Sequence, residues 1–223
     1  MRKIVLSTLL LPLLLCTNSV QAQWTDISLP YIWYLDQASF TDDNHGFAAA
    51  TYYNKIFRTI NGGAAWDSIM FNGTVISVDF ISNDTGFVLI DSSNTYSLKT
   101  TFNNGNSWIN NPAPVPGFGY YQNMRFTGST TGLLFTNDGI IFSTTNGGQN
   151  WSSPLPIGGY TVPTDREYTG SDTIIFTGWD GTFAYKGAVT RSDDAGVTWQ
   201  TYAHDSSYSS FSGTHFLSGK NGY

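Results

Sequence analysis

The sequence predicts an all-β fold, a β-propeller whose four-stranded antiparallel blades follow one another along the chain. Three observations carry that reading. The first is composition: charged residues make up 12% of the 223-residue chain, about half of the roughly 25% usual in soluble domains. Glu occurs once, at Glu167, while aromatics reach 16% and Gly 23 residues. So little Glu and Lys among so much Thr, Tyr, Phe, Gly and Asn excludes helical bundles and coiled coils. The aromatic content excludes a disordered chain, because there is ample apolar surface to bury.

The second observation is a turn that recurs four times: Thr59-Ile60-Asn61-Gly62-Gly63-Ala64-Ala65-Trp66, Thr101-Phe102-Asn103-Asn104-Gly105-Asn106-Ser107-Trp108, Thr144-Thr145-Asn146-Gly147-Gly148-Gln149-Asn150-Trp151 and Ser192-Asp193-Asp194-Ala195-Gly196-Val197-Thr198-Trp199. The shared form is Ser/Thr-x-Asn/Asp-x-Gly-x-x-Trp, with tryptophans 42, 43 and 48 residues apart. Each fixed position has a physical role. The Asn or Asp side chain accepts hydrogen bonds from backbone N–H groups two or three residues on. Gly supplies a positive φ, the hydroxyl ties down the entering strand, and Trp plugs the hairpin against its sheet. The structural set is therefore Asn61, Gly63, Trp66, Asn103, Gly105, Trp108, Asn146, Gly148, Trp151, Asp194, Gly196 and Trp199.

The third is an aromatic line upstream of each turn, at Phe40, Phe80, Phe126, Tyr168 and Phe216, spaced 40, 46, 42 and 48 residues. Gly46-Phe47, Gly86-Phe87, Gly132-Leu133 and Gly222-Tyr223 follow and open further apolar runs. Each period thus holds three or four short strands with turn signals every 8–12 residues and no helical periodicity. Units of this length, each a small antiparallel sheet, describe propeller blades. The approximate units are 24–66, 67–108, 109–151, 152–199 and an incomplete 200–223. They make about four and a half blades, and a ring of six or seven would need more chain.

The first residues read as an export leader. Arg2 and Lys3 precede an apolar run from Ile4 to Cys16, and Val20-Gln21-Ala22 is a small-residue cleavage site that would leave Gln23 first. The run is too short to span a membrane, and Leu13-Leu14-Leu15 before Cys16 does not fit a lipidation signal. Without residues 1–22 the chain has 8 basic against 16 acidic side chains and no cysteine. Packing rather than disulfides must then hold it together. The negative charge, with no Lys/Arg cluster, excludes nucleic acid as the main partner.

The four turns resemble the Asp-boxes, or BNR repeats, of sialidases, xyloglucan-cleaving glycosidases, sortilin and the photosystem II stability/assembly factor propellers. The line Phe40-Thr41-Asp42-Asp43-Asn44-His45-Gly46-Phe47, with Phe57-Arg58 and its Asp-box, is most similar to the last group. The resemblance implies that Asp-boxes lie on an outer rim away from the ligand face, and that innermost strands line a central channel. On that alignment Ser39, Asp79, Arg125, Glu167 and His215 occupy equivalent inner-strand positions and are candidate binding residues; the alternative is that they pair across blades as buried polar groups. The aromatic clusters holding Trp33, Tyr34, Tyr120 and Tyr121 are candidate stacking platforms, with blade-to-blade packing as the alternative.

These readings point to an exported, non-enzymatic binding or scaffold propeller that recognises a protein or a polysaccharide, secreted or held at a bacterial cell surface or in the periplasm. Similar exported proteins carry a C-terminal sorting module, which would lie beyond Tyr223. The alternative is a secreted glycoside hydrolase, closer to a xyloglucanase than to a sialidase. Four arginines (Arg58, Arg125, Arg166 and Arg191) remain after the leader, two of them beside Asp-boxes, too few for a sialate site. A xyloglucanase-like site needs two carboxylates across a cleft, and Asp79 and Glu167 are the candidates. No metal, cofactor or nucleophile motif is visible: His45, His204 and His215 have no partner at ligand spacing.

Overall fold

The computed structural model describes residues 35, 37–50, 53–117, 119–157, 162–169, 172–179, 187–203, 216–218 and 221–222; in the fourth sheet's first strand Tyr168 alone has a described side chain, and the last two strands are described by backbone. The leader, Trp33, Tyr34 and His215 lie outside these residues. Among the described residues every element is a strand, and no helix is long and apolar enough to cross a membrane.

Four sheets follow in chain order. The first holds β1 (Gln37–Phe40), β2 (Gly46–Ala50), β3 (Lys55–Thr59) and β4 (Asp67–Met70). The second holds β5 (Thr74–Phe80), β6 (Gly86–Asp91), β7 (Tyr96–Thr101) and β8 (Ile109–Pro112). The third has β9 (Tyr121–Phe126), β10 (Gly132–Thr136), β11 (Ile140–Thr144) and β12 (Leu155–Pro156), and the fourth β13 (Val162–Thr169), β14 (Thr173–Trp179), β15 (Gly187–Ser192) and β16 (Gln200–Ala203). All pairings are antiparallel between consecutive strands. A fifth unit begins with β17 (Phe216–Ser218) against β18 (Asn221–Gly222).

One register repeats through the blades. The aromatic ending the first strand pairs with the glycine opening the second: Phe40 with Gly46, Phe80 with Gly86, and Phe126 with Gly132. Phe216 also pairs with Gly222, but there Phe216 opens β17 and Gly222 ends β18. The Phe40, Phe80 and Phe126 rings lie over the bare Cα of their glycines, where a Cβ would overlap ring carbons. The fourth blade breaks the rule: Tyr168 faces Ile174.

The cores lie between blades. Phe47, Ala49 and Ile56 of the first blade pack with Val78, Phe80, Val88 and Ile90 of the second. Phe87, Leu89 and Leu98 pack with Met124, Phe126, Leu134 and Phe142 at the next seam, and Leu133, Phe135 and Ile141 with Ile174 and Phe176 at the third. Phe47 stacks on Phe80 with centroids 3.3 Å apart, and Phe87 on Phe126 at 3.5 Å. Phe40, the equivalent ring of the first blade, is 54% exposed.

The recurrent turn is the hairpin joining the third and fourth strands, so each sheet runs on past its tryptophan to 70, 112, 156 and 203 rather than ending at 66, 108, 151 and 199. Its geometry is the same four times. Gly63, Gly105, Gly148 and Gly196 donate their N–H to the hydroxyls of Thr59, Thr101, Thr144 and Ser192 at 2.8–2.9 Å. Asn61, Asn103, Asn146 and Asp194 accept from the N–H four residues on, one position further than the sequence reading placed it. Two consecutive residues take positive φ, for example Asn104 at 57° and Gly105 at 76°. Each turn also donates to its own blade's first turn: Gly62 to Asn44, Asn104 to Asp84, Gly147 to Thr130 and Ala195 to Asp172.

The glycine of the motif has a second role, against the preceding blade. A Cβ on Gly105 would stand 2.8 Å from Ile69 Cδ1, one on Gly148 would overlap Leu98, and one on Gly196 would stand 2.8 Å from Leu133 Cδ1. Gly105→Ala therefore puts a Cβ in the left-handed region against the movable Ile69 methyl and is expected to cost about 1–3 kcal/mol, mostly backbone strain. Gly117→Ala, where nothing lies within 4 Å of the new Cβ, should stay within about 0.5 kcal/mol of wild type. Urea midpoints of the two variants give the comparison.

Candidate functional site

The inner strands β1, β5 and β9 carry polar residues that alternate with the aromatic line. Ser39 pairs across its sheet with Phe47, Asp79 with Phe87, Arg125 with Leu133 and Glu167 with Ile175, so the four hold equivalent register positions. The Glu167 side chain lies outside the described residues.

Where their side chains are described, they reach across seams. The Phe80 N–H donates to Ser39 Oγ at 3.2 Å, and the Phe126 N–H to Asp79 Oδ2 at 2.6 Å. Two residues earlier the pattern repeats: Val78 N–H donates to Gln37 Oε1 at 3.0 Å, and Met124 N–H to Ser77 Oγ at 3.2 Å. A polar side chain of one inner strand thus holds the backbone of the next. Of the two sequence readings for Ser39 and Asp79, cross-blade pairing is the one this geometry matches. Gln37 and Ser77 were missed because neither residue type stands out in a sequence so rich in polar turns.

Arg125 does more than join a seam. Its Nη1 lies 3.3 Å from Asp79 Oδ1 and its guanidinium carbon 5.1 Å from the centre of the Tyr168 ring. Its side chain is still 39% exposed, against 8% for Asp79. One carboxylate and one ring therefore orient a cation whose other donors meet no acceptor among the described residues, the arrangement that takes a planar anion. A cavity of about 380 Å³ opens beside it, where β1, β5 and β9 end, lined by Ser39, Phe40, Thr41, Phe80, Arg125 and Thr127 among others. The first turns of the blades bound this edge and the Asp-box turns bond to them, so the cavity shares its edge of the sheets with the Asp-boxes instead of lying away from them.

The aromatic platform candidates separate. Tyr120, before β9, is 59% exposed, with its N–H bonded to Asn137 Oδ1 at 2.8 Å. Tyr121 is corrected to core: it is 2% exposed, donates to the Pro114 carbonyl at 2.8 Å and packs edge-on to Tyr96. Burial pushes its hydroxyl well above the usual phenol range. Alternation along the strand makes one neighbour face solvent and the other the blade interior. Tyr120 precedes β9 and Arg125 lies near its far end, about 17 Å apart along the strand, so they do not form one site. Among the described residues no three His, Cys, Asp or Glu gather as metal ligands do.

Asp79 also cannot act as a free cleft carboxylate, since both its oxygens are engaged. Burial raises its pKa above the ordinary 3.8, against the pull of the Phe126 N–H and Arg125. A raised folded-state pKa gives stability that is full below pH 4 and declines as pH rises through the shifted value. Asp79→Asn keeps an acceptor for Phe126 and removes that slope. The stability of wild type relative to Asp79→Asn should therefore fall on going from pH 4 to pH 7, as read from urea midpoints. Asp194 slopes the other way: hydrogen bonds from Thr198 hold it at about 2, so its contribution is lost below pH 4.

The family model described as photosynthesis system II assembly factor YCF48 matches residues 16–171. The chain is 30% identical over 148 residues to the chloroplastic photosystem II stability/assembly factor HCF136 of Oryza sativa subsp. japonica, covering 60% of this chain and 34% of that protein. It therefore spans about a third of the length of that curated relative. Among solved structures, YCF48 bound to D1 peptide superposes with a TM-score of 0.61 at 19% identity, over 82% of this chain and 56% of that one. An ancestral GH74 enzyme superposes with a TM-score of 0.55 at 16% identity, over 75% and 25%. The structural likenesses show a β-propeller. With the family match over most of its length, the chain belongs to the photosynthesis system II assembly factor YCF48 family.

Proposed function

We propose that this protein is an exported binding scaffold that holds a segment of a partner protein, through a carboxylate of that segment, at the cavity where β1, β5 and β9 end. The observation that carries the reading is Arg125: a half-exposed guanidinium, oriented by Asp79 and Tyr168, beside the exposed ring of Phe40. A fixed cation next to an apolar ring suits a peptide that offers a carboxylate and an apolar side chain together. Family membership supports a protein-binding role, and a relative of this fold has been solved with a peptide bound. Export rests on Arg2, Lys3, the apolar run from Ile4 to Cys16 and the Val20-Gln21-Ala22 site.

The glycosidase reading loses one of its two candidate carboxylates, because Asp79 is buried and bonded across the seam. The two readings separate on one array of peptides displayed with either free or amidated C-termini. The full chain should favour free carboxylates, and Arg125→Gln should weaken capture at least about tenfold, the equivalent of one charge-assisted hydrogen bond. Equal capture of both forms, or capture unchanged in Arg125→Gln, removes Arg125 from the site.

A further inference from the structure

The seam between the second and third blades differs from the one before it. At the first seam Arg58, just ahead of its Asp-box, forks onto Asp67 (Nε–Oδ1 3.1 Å, Nη2–Oδ2 2.6 Å). Its Nη1 reaches over the seam to the carbonyl of Asn104 and to Asn106 Oδ1, the latter at 2.9 Å. One side chain fills the space between the first blade's edge and the second blade's turn. The equivalent positions one blade on are Thr100 for Arg58, Ile109 for Asp67, Gly147 for Asn104 and Gln149 for Asn106. The filling side chain is thus replaced by a short hydroxyl, and its counter-carboxylate by an aliphatic group.

A groove of about 200 Å³ stands there, bordered by Thr100, Phe102, Ile109, Asn111, Asn146 and Gln149 among others. Thr100 lies on its floor, 3% exposed, with a buried hydroxyl that has no partner among the described residues. Phe102 and Ile109 are 53% and 54% exposed on the wall. The Gly147 carbonyl, counterpart of the one that Arg58 holds, accepts among the described residues only a 3.5 Å contact from Asn111 Nδ2. No side chain lining the groove is charged, in a chain of net charge −6.

We infer that this groove is a binding site for a neutral hexose unit of a glycan, on the outer edge of the propeller and separate from the cavity at Arg125. The occupant must present donors where Arg58 does at the first seam, yet without charge, because Ile109 offers no counter-ion and a buried unpaired charge is costly. It must also lay an apolar face on an exposed ring. A pyranose does both: its hydroxyls meet the Asn111, Asn146 and Gln149 amides and the Gly147 carbonyl, and its C–H face covers Phe102.

The test is calorimetric titration of the full chain with cellohexaose, maltohexaose and mannohexaose, alongside hexagalacturonic acid and L-argininamide. At least one neutral hexaose should bind with a Kd below about 1 mM, the range expected for one shallow subsite. Phe102→Ala should weaken that binding at least tenfold. Thr100→Arg, which rebuilds the first seam's plug, should abolish it, with Gln149→Ala as the second variant if the arginine does not fold. Arg125→Gln should leave it unchanged, so failure here is distinct from failure of the peptide-binding reading. No heat with any neutral hexaose, binding that ignores the groove variants, or binding of the charged probes alone overturns the assignment.

Discussion

Everything in this protein depends on the contact between one blade and the next. A single four-stranded sheet has two faces and no partner for either within its own repeat, and an isolated sheet of that size is marginal in water. Here the partner is the neighbouring blade. Among the described residues all three apolar cores are seams, and two are centred on stacked phenylalanine pairs, Phe47 on Phe80 and Phe87 on Phe126. Such a pair adds about 0.5–1.5 kcal/mol beyond the area it buries. The glycine opposite each ring is part of the same device, because only a bare Cα lets the ring lie flat on its strand.

The polar residues serve the same contact. Gln37, Ser39, Ser77 and Asp79 each accept a backbone N–H from the next inner strand, so the seam is held by hydrogen bonds near the axis and by apolar packing further out. The Asp-boxes close it at the outer edge: their backbone bonds knit the turns of one blade, and their glycines press on the side chains of the blade before. The two proposed sites lie where this stitching is incomplete. Arg125 is only partly neutralised by Asp79, and Thr100 replaces the arginine that fills the equivalent space one seam earlier. In a repeat protein, departures from the repeat are where a ligand can take the place of a missing internal contact.

Much of this was legible beforehand. Local turn chemistry leaves a direct trace in sequence, so the four Asp-boxes could be assigned atom roles; the structure moves one acceptor bond a single residue along and adds the glycine's contact with the preceding blade. The aromatic line marked one recurrent position of each blade, and in the first three blades that position is the end of the first strand. The candidate site was legible only as positions. Ser39, Asp79 and Arg125 are equivalent by register, yet nothing local says that the first two turn to a neighbouring backbone while the third keeps an open face. Tyr120 and Tyr121 show the same limit, since adjacent tyrosines in one cluster went to opposite environments.

The sequence by itself determined the all-β class, the blade period, the turn motif and the position of the periodic aromatic line. These are short-range matters, settled by φ preferences, side-chain-to-backbone hydrogen bonds and hydrophobic periodicity within a few residues. Only the tertiary structure decided that Asp79 is a bonded seam group rather than a cleft acid, that Arg125 faces a cavity, and that Thr100 floors a groove which Arg58 fills one blade earlier. Those outcomes rest on groups 41 to 48 residues apart meeting across a seam. Their meeting is set by how one sheet stacks on the next, a geometry that no local segment encodes.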